Sequence, residues 1–422
     1  MDRRCHKVTK NRLCGPTSFE INVHVNLKKL GPNIIMLINP NVDRAIEPPI
    51  AEAQSWITGR SFPNTKPLIN LAQAVPSYPP ADSLQDHLAY KATLFETAQY
   101  TEIAGIPELR SELSTHMNKI YAGNTTLDNV LISSGCNQAY CLTIMALARA
   151  GDEVILAEPY YFNHLMWLEI LGIKAKMLPF RHEKGGIPDP SDAAKLITNK
   201  TKAIVLITPN NPTGAIYSQE IIAEFYELAT ERGIALIIDE TYKDFLGPIE
   251  PHGLFKKERW DQTFIQLYSF SKVFSLTGYR VGSIIGGTKI IQSIIKVMDT
   301  LAICAPRISQ DAALFGLLNL SNWVSEKQQT IKARCDFVRE LFEPGKTEFE
   351  LVSSGAYFAY IKHPFVAMSA RQVAIKLADE ANILCLPATF FGSTQERFLR
   401  FAFANASIDE MADVKSRLEI LS

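Results

Sequence analysis

The chain has 422 residues, 47% of them hydrophobic, and a formal net charge of −1, which is ample for one large α/β domain and a smaller companion. With 43 basic against 44 acidic residues, it lacks the electrostatic footprint of a nucleic-acid or anionic-membrane binder. Seven scattered cysteines without Cys-x-x-Cys and eight histidines without His-x-x-x-His argue against a disulfide frame or a metal site. They fit a soluble protein of the reducing cytoplasm, and no apolar run approaches the ~18 residues of a membrane span.

Residues 1–35 set Arg3, Arg4, Lys7, Lys10, Arg12, Lys28 and Lys29 against only Asp2 and Glu20, with no amphipathic period. A disordered extension is expected there, since no apolar signal-peptide core follows the charges. Over 36–85 the eight prolines between Pro40 and Pro80 predict an extended amino-terminal arm and part of a small domain. Tyr100-Thr101, read alone, is an ordinary half-buried ring before a helical pattern carrying Leu109, Leu113 and Met117.

Residues 86–305 then alternate short apolar runs with helical segments, the pattern of a mostly parallel sheet in a large domain. Strands are expected at Asn129–Ile132, Glu153–Ala157, Ala175–Leu178, Ala203–Ile207, Ala235–Ile238, Phe264–Leu267 and Val281–Ile285, with helices such as Gln219–Arg232 between them. Several runs are apolar without alternation, as strands covered on both faces should be. From 306 to 422 longer helical patterns (Gln310–Leu320, Ser325–Phe342) predict a small carboxyl-terminal domain. In it the alternation of charge and ring over Arg397–Phe403 fits an edge strand.

Ligands of such sheets sit beyond the carboxyl ends of the strands. After the first strand, Gly135, Cys136 and Asn137 precede the helix expected at Ala139–Ala148. Backbone N–H groups there can bind phosphate, although Ser134 or Asn137 would serve equally as a cap. A dinucleotide is excluded, because Gly-x-Gly-x-x-Gly is absent. Tyr160, Tyr161 and Phe162 follow the second strand and offer aromatic surface. Pro209–Gly214 after the fourth is a turn-forming cluster containing Asn211. Asp239, ending the fifth run, needs a partner if buried, and a protonated pyridine nitrogen would provide one.

The stretch Ser269–Gly282 offers Ser269, Ser271, Lys272 and, eight residues later, Arg280. Hydroxyl and guanidinium donors recognise phosphate, and a lysine can condense with a carbonyl. Together they suit a cofactor with one aldehyde and one phosphate, pyridoxal 5′-phosphate. A surface lysine and an arginine near a strand end would look the same from this stretch alone.

Tyr100, Gly135, Tyr161, Asn211, Asp239, Tyr242, Lys272, Arg280 and Arg400 follow one another between about residues 40 and 405. In that order they resemble the class I/II aminotransferases, fold-type I pyridoxal phosphate enzymes. The resemblance implies a seven-stranded, mostly parallel sheet plus a smaller α+β domain from both chain ends. It implies Lys272, Asp239 and Tyr242 as catalytic, with Tyr161 stacked on the cofactor and Asn211 and Tyr242 donating to its phenolic oxygen. Arg400 would fork onto the substrate carboxylate, helped by the backbone at Ala74. Tyr100 would reach the cofactor phosphate of a partner subunit in a homodimer, and His164 would support Asp239 unless it is simply a core histidine. The activity implied is amino-group transfer between an L-amino acid and a 2-keto acid. A lyase or amino-acid-modifying enzyme of the same fold is the alternative, and a regulatory effector domain a more remote one. Relatives strict for aspartate place an arginine where this chain has Val297–Pro306, which holds none, although Arg307 lies just beyond. Neutral or aromatic amino acids are therefore expected to be preferred.

Overall fold

Apolar runs without alternation become strands buried on both faces, as a sheet layered between helices requires. The computed structural model describes residues 36–419, so the disordered extension expected over 1–35 lies outside the described residues. The strands are β1 (Val130–Ser133), β2 (Glu153–Ala157), β3 (Lys174–Leu178), β4 (Thr201–Ile207), β5 (Ala235–Asp239), β6 (Phe264–Ser269) and β7 (Gly282–Ile285). They form one seven-stranded sheet in the order β1-β7-β6-β5-β4-β2-β3. Every pairing is parallel except those of β7 with β1 and β6, so the expected mostly parallel sheet is present. β1, β2, β6 and β7 are buried throughout, while the edge strand β3 is largely half-buried.

Local chemistry sets the helix ends. Gln219–Arg232 forms as expected, with the Ser218 hydroxyl accepting from the Ile221 N–H at 3.4 Å and Gly233 closing the helix at φ 63°. The helix expected at Ala139–Ala148 instead spans Cys136–Leu147. Gly135, at φ 87°, turns the chain so that helical geometry begins at the very next residue.

A second, antiparallel sheet comprises β8 (Glu350–Gly355), β9 (Phe358–Lys362), β10 (Leu386–Pro387) and β11 (Phe398–Phe401), in the order β10-β11-β9-β8. The edge strand expected over Arg397–Phe403 is thus interior. β11 is paired on both sides, and Arg400 is 2% exposed. Its charge does not mark a solvent face. Ile69–Asn70 pairs in parallel with Ile383–Leu384, and Ile69 and Leu71 share an apolar core with Val338, Phe358, Leu377 and Leu418. Both ends of the described chain therefore build the smaller layer.

The two sheets meet at a glycine pair. Gly214, at φ 73°, lies so close to β8 and β9 that an added Cβ would stand 2.5 Å from the Gly355 nitrogen and 2.6 Å from the Phe358 oxygen. The Ser353 hydroxyl donates to the Thr213 carbonyl beside it at 2.8 Å. Gly214→Ala is expected to destabilise the fold by about 2–3 kcal/mol, combining left-handed backbone strain with overpacking against main chain. Urea denaturation of the purified variant checks it.

Candidate active site

The register of the sheet brings the chemistry-bearing residues level. Ser133, Gly282 and Ser269 occupy one row across β1, β7 and β6, and Ile207, Asp239 and Leu267 another across β4, β5 and β6. Beyond these ends opens a cavity of ≈ 130 Å³ lined by Cys136, Asn137, Tyr161, Asn211, Asp239, Thr241, Tyr242, Ser269, Ser271, Lys272 and Arg280, with Ile207. All the expected cofactor-binding side chains except Tyr100 line this one space. Gly135 lies against the Arg280 guanidinium that lines it.

At one end, the Ser269 hydroxyl accepts from the Ser271 N–H at 3.2 Å and fixes the turn into the short helix Phe270–Val273. The buried Ser271 hydroxyl has no hydrogen-bond partner among the described residues. Arg280, held at φ 54°, lays its guanidinium over Gly135, where any Cβ would overlap it. A non-glycine residue in that left-handed conformation is strained. The first N–H groups of helix Cys136–Leu147 face the same corner. Two hydroxyls, a guanidinium and a helix start converge, an arrangement suited to phosphate.

Asp239 lines the cavity and is 6% exposed. The Thr241 N–H donates to its Oδ1 at 3.0 Å, and His164 Nε2 lies 3.5 Å from its Oδ2. Burial alone would raise this carboxyl, but the His164 and Thr241 contacts outweigh it and hold it below the usual carboxylate range. His164 is itself stacked on Tyr140, with centroids 3.9 Å apart, so its ring orientation is fixed.

Lys272 is half-buried, and its Nζ donates to the Ala74 carbonyl at 2.5 Å. Burial first, and then the charges of Arg280 and Arg400, pull its amine down from 10.5 to about 8. Such an amine is available near neutral pH as a nucleophile or base. The Tyr242 ring lies 5.8 Å from Nζ. Burial raises that phenol well above its ordinary value, so it stays protonated and able to donate.

Arg400 reaches the site from β11. Its guanidinium donates to Asn211 Oδ1 at 3.1 Å and to the Ala72 carbonyl, and it lies 4.9 Å from the Phe391 ring centroid and 5.3 Å from that of Phe358. No carboxylate pairs with it among the described residues, and burial lowers it to about 10. Asn211 is carried by a turn pinned from within by Asn210, whose Oδ1 accepts from the Thr213 N–H and hydroxyl and whose amide donates to the Tyr217 hydroxyl.

Tyr100, an expected participant, and Arg307, which was not one, stand apart. Tyr100 is 77% exposed and lies outside this cavity. Arg307, the only arginine near the Val297–Pro306 stretch, is engaged by Asp311 at 3.1 Å and Glu96 at 3.8 Å. Thr241 and Ala72 were not expected as partners. Thr241 is signalled by its place two residues after an acid, the spacing of an Asx turn, while Ala72 carries no local signal.

The profile of the family described as aminotransferase class I and II matches residues 66–418. An aspartate aminotransferase of Pyrococcus horikoshii is 27% identical over 324 residues, 76% of this chain and 82% of that protein. The aromatic aminotransferase ISS1 of Arabidopsis thaliana is 26% identical over 327 residues, 76% of this chain and 81% of that protein. A solved Thermus thermophilus aspartate aminotransferase, a double mutant, shares the fold at a TM-score of 0.84 and 24% identity, covering 92% of this chain and 100% of its own. The chain belongs to the class I and II aminotransferases, enzymes that move an amino group between an amino acid and a 2-keto acid.

Proposed function

We propose that this aminotransferase works with pyridoxal 5′-phosphate held in the cavity and that Lys272 is its reacting amine. The observation that carries this reading is a half-buried lysine lining one cavity with Asp239 and Arg280, its amine drawn down to about 8, near a buried Arg400 that pairs with no carboxylate among the described residues. The donor set fits the cofactor. Ser269, the unpartnered Ser271 hydroxyl, Arg280 and the N–H groups beyond Gly135, at Cys136 and Asn137, would hold the phosphate. Asp239 would face the ring nitrogen, Tyr161 the ring, and Asn211 and Tyr242 the phenolic oxygen. When bound, pyridoxal phosphate supplies an aldehyde to take up the substrate amine and a ring to accept electrons from the α-carbon.

The protein's own part follows from the charges. Arg400 exchanges the Ala72 carbonyl and Asn211 for the two oxygens of the substrate carboxylate, which a guanidinium meets with parallel N–H groups. The backbone N–H at Ala74 would donate to the same carboxylate. Lys272 moves a proton off the α-carbon as base and returns one as acid. Asp239, kept ionised by His164 and Thr241, holds a positive charge opposite it. Tyr100, exposed with Tyr90 and Phe95, serves the phosphate end in a second copy of the chain, which makes the working form a homodimer. The five described cysteines are free thiols, which supports a cytoplasmic setting.

Lys272→Ala should lower turnover by at least about 10³-fold, within the range for removal of a general base. Borohydride reduction and peptide mapping of the unaltered enzyme should place the cofactor mass on Lys272. A label on another lysine would reject the assignment.

Lys272 also predicts a pH dependence. Its folded value lies below the unfolded one, so a proton binds more weakly in the folded state, and the apoprotein gains stability as pH rises through roughly 8 to 10.5. Covalent uptake of pyridoxal phosphate by the apoprotein should accelerate as pH rises through about 8. Arg400→Gln removes a cation neighbour and should move that midpoint upward, which stopped-flow absorbance can follow.

For substrates, we propose that neutral and aromatic amino acids are preferred over aspartate. Arg307 is already committed to Asp311 and Glu96, which removes the one candidate for a distal carboxylate near Val297–Pro306. Comparing kcat/KM for phenylalanine, methionine, glutamine and aspartate with one keto acid tests this. A preference for aspartate beyond tenfold, about 1.4 kcal/mol, would overturn it.

A further inference from the structure

The helix that carries Lys272, Phe270–Val273, has only four residues, and a helix that short leaves its last carbonyls without helical partners. The Lys272 carbonyl is met instead from the second sheet, where the Tyr357 hydroxyl donates to it at 3.3 Å. Tyr357 is fully buried in the turn between β8 and β9. Its ring lies 5.3 Å from that of Tyr242 and 5.0 Å from that of Phe245. The turn itself has little freedom, because Ala356 sits at φ 47° and Gly355 abuts the Gly214 main chain.

We infer that Tyr357 is a positioning residue for amino-group transfer, fixing the Lys272 main chain so that the amine stays beside Tyr242 and Ala74. The inference rests on Lys272 being the reacting amine. The strut is directional: its hydroxyl contacts the backbone of the lysine, while its ring packs against Tyr242, the residue facing that amine. A change at the Tyr357 hydroxyl therefore alters the aim of Nζ and leaves the Arg400 contacts with Asn211 and Ala72 in place.

Tyr357→Phe keeps the ring and removes the donor. In the pyridoxal-phosphate-bound enzyme kcat should fall about tenfold, the scale of one lost hydrogen bond to a buried carbonyl, with KM for the amino acid changed less than about twofold. Phe245→Leu loosens the packing around the Tyr357 ring without touching Lys272. It should lower Tm at least as much as Tyr357→Phe, yet leave kcat within about twofold of the unaltered enzyme. Unchanged kcat in Tyr357→Phe, or equal kcat losses in the two variants, would overturn the positioning role. Lys272→Ala separates the levels. If it is inactive while Tyr357→Phe is fully active, only the positioning role fails. If Lys272→Ala is itself active, the reading beneath it fails as well.

Discussion

Positive charge that the protein does not neutralise for itself governs the site. Lys272, Arg280 and Arg400 converge on a region whose buried carboxylate, Asp239, is already engaged by His164 and Thr241. Burying a guanidinium is costly unless it is paired and hydrogen-bonded. Among the described residues Arg400 meets that cost with dipoles and ring faces: the Ala72 carbonyl, the Asn211 amide oxygen, Phe358 and Phe391. An anion would compensate the charge better than any of these. Lys272 shows the same imbalance, since its amine gives up its proton more easily under the combined pull of burial and two guanidinium groups.

That imbalance has to be built by two sheets at once. Asp239, Ser269 and Lys272 come from strand ends of the parallel sheet, whereas Arg400 comes from β11 of the antiparallel one. Their spacing depends on how closely the sheets approach. The approach is set by main-chain contact at Gly214 and Gly355 and by hydroxyls from β8 and the following turn, Ser353 to the Thr213 carbonyl and Tyr357 to that of Lys272. Main-chain packing resists deformation more than side-chain packing does, because a backbone atom has no rotamer to yield with. The glycine pair thus converts a local steric requirement into the geometry of the whole site.

Much of this was legible in the sequence, for reasons tied to particular residues. Strands buried on both faces announce themselves as unbroken apolar runs, and Asp239 stands out because it ends one of them. Lys272 with Arg280 eight residues on is a local pattern, readable without tertiary information. The start of helix Cys136–Leu147 was misread because its cap is a glycine at positive φ, which supplies geometry and not a side-chain acceptor. β11 looked like an edge because its neighbours, Leu386–Pro387 and Phe358–Lys362, are set by distant pairing. Tyr357 was invisible for a related reason. An aromatic residue in a turn between two strands carries no mark of the carbonyl it serves.

Adjacent residues show why burial of a carboxylate alone does not identify a functional one. Asp239 and Glu240 are both buried, both held below the usual carboxylate range, and each has a histidine neighbour, His164 at 3.5 Å and His252 at 3.3 Å. A carboxylate has about four lone-pair sites to satisfy. Glu240 fills them from several sides, with the Tyr121 hydroxyl at 2.9 Å, the Gln266 amide and His252, all away from the cavity. Its charge is spent on tying helix Pro107–Tyr121 to β6 and to the loop that carries His252. Asp239 takes its donors from His164 and from both the backbone and the side chain of Thr241, and it lines the cavity. Of the two only Asp239 lines the cavity, so only it can meet a cationic partner there, and the division of labour between the neighbours follows from where each carboxylate lies.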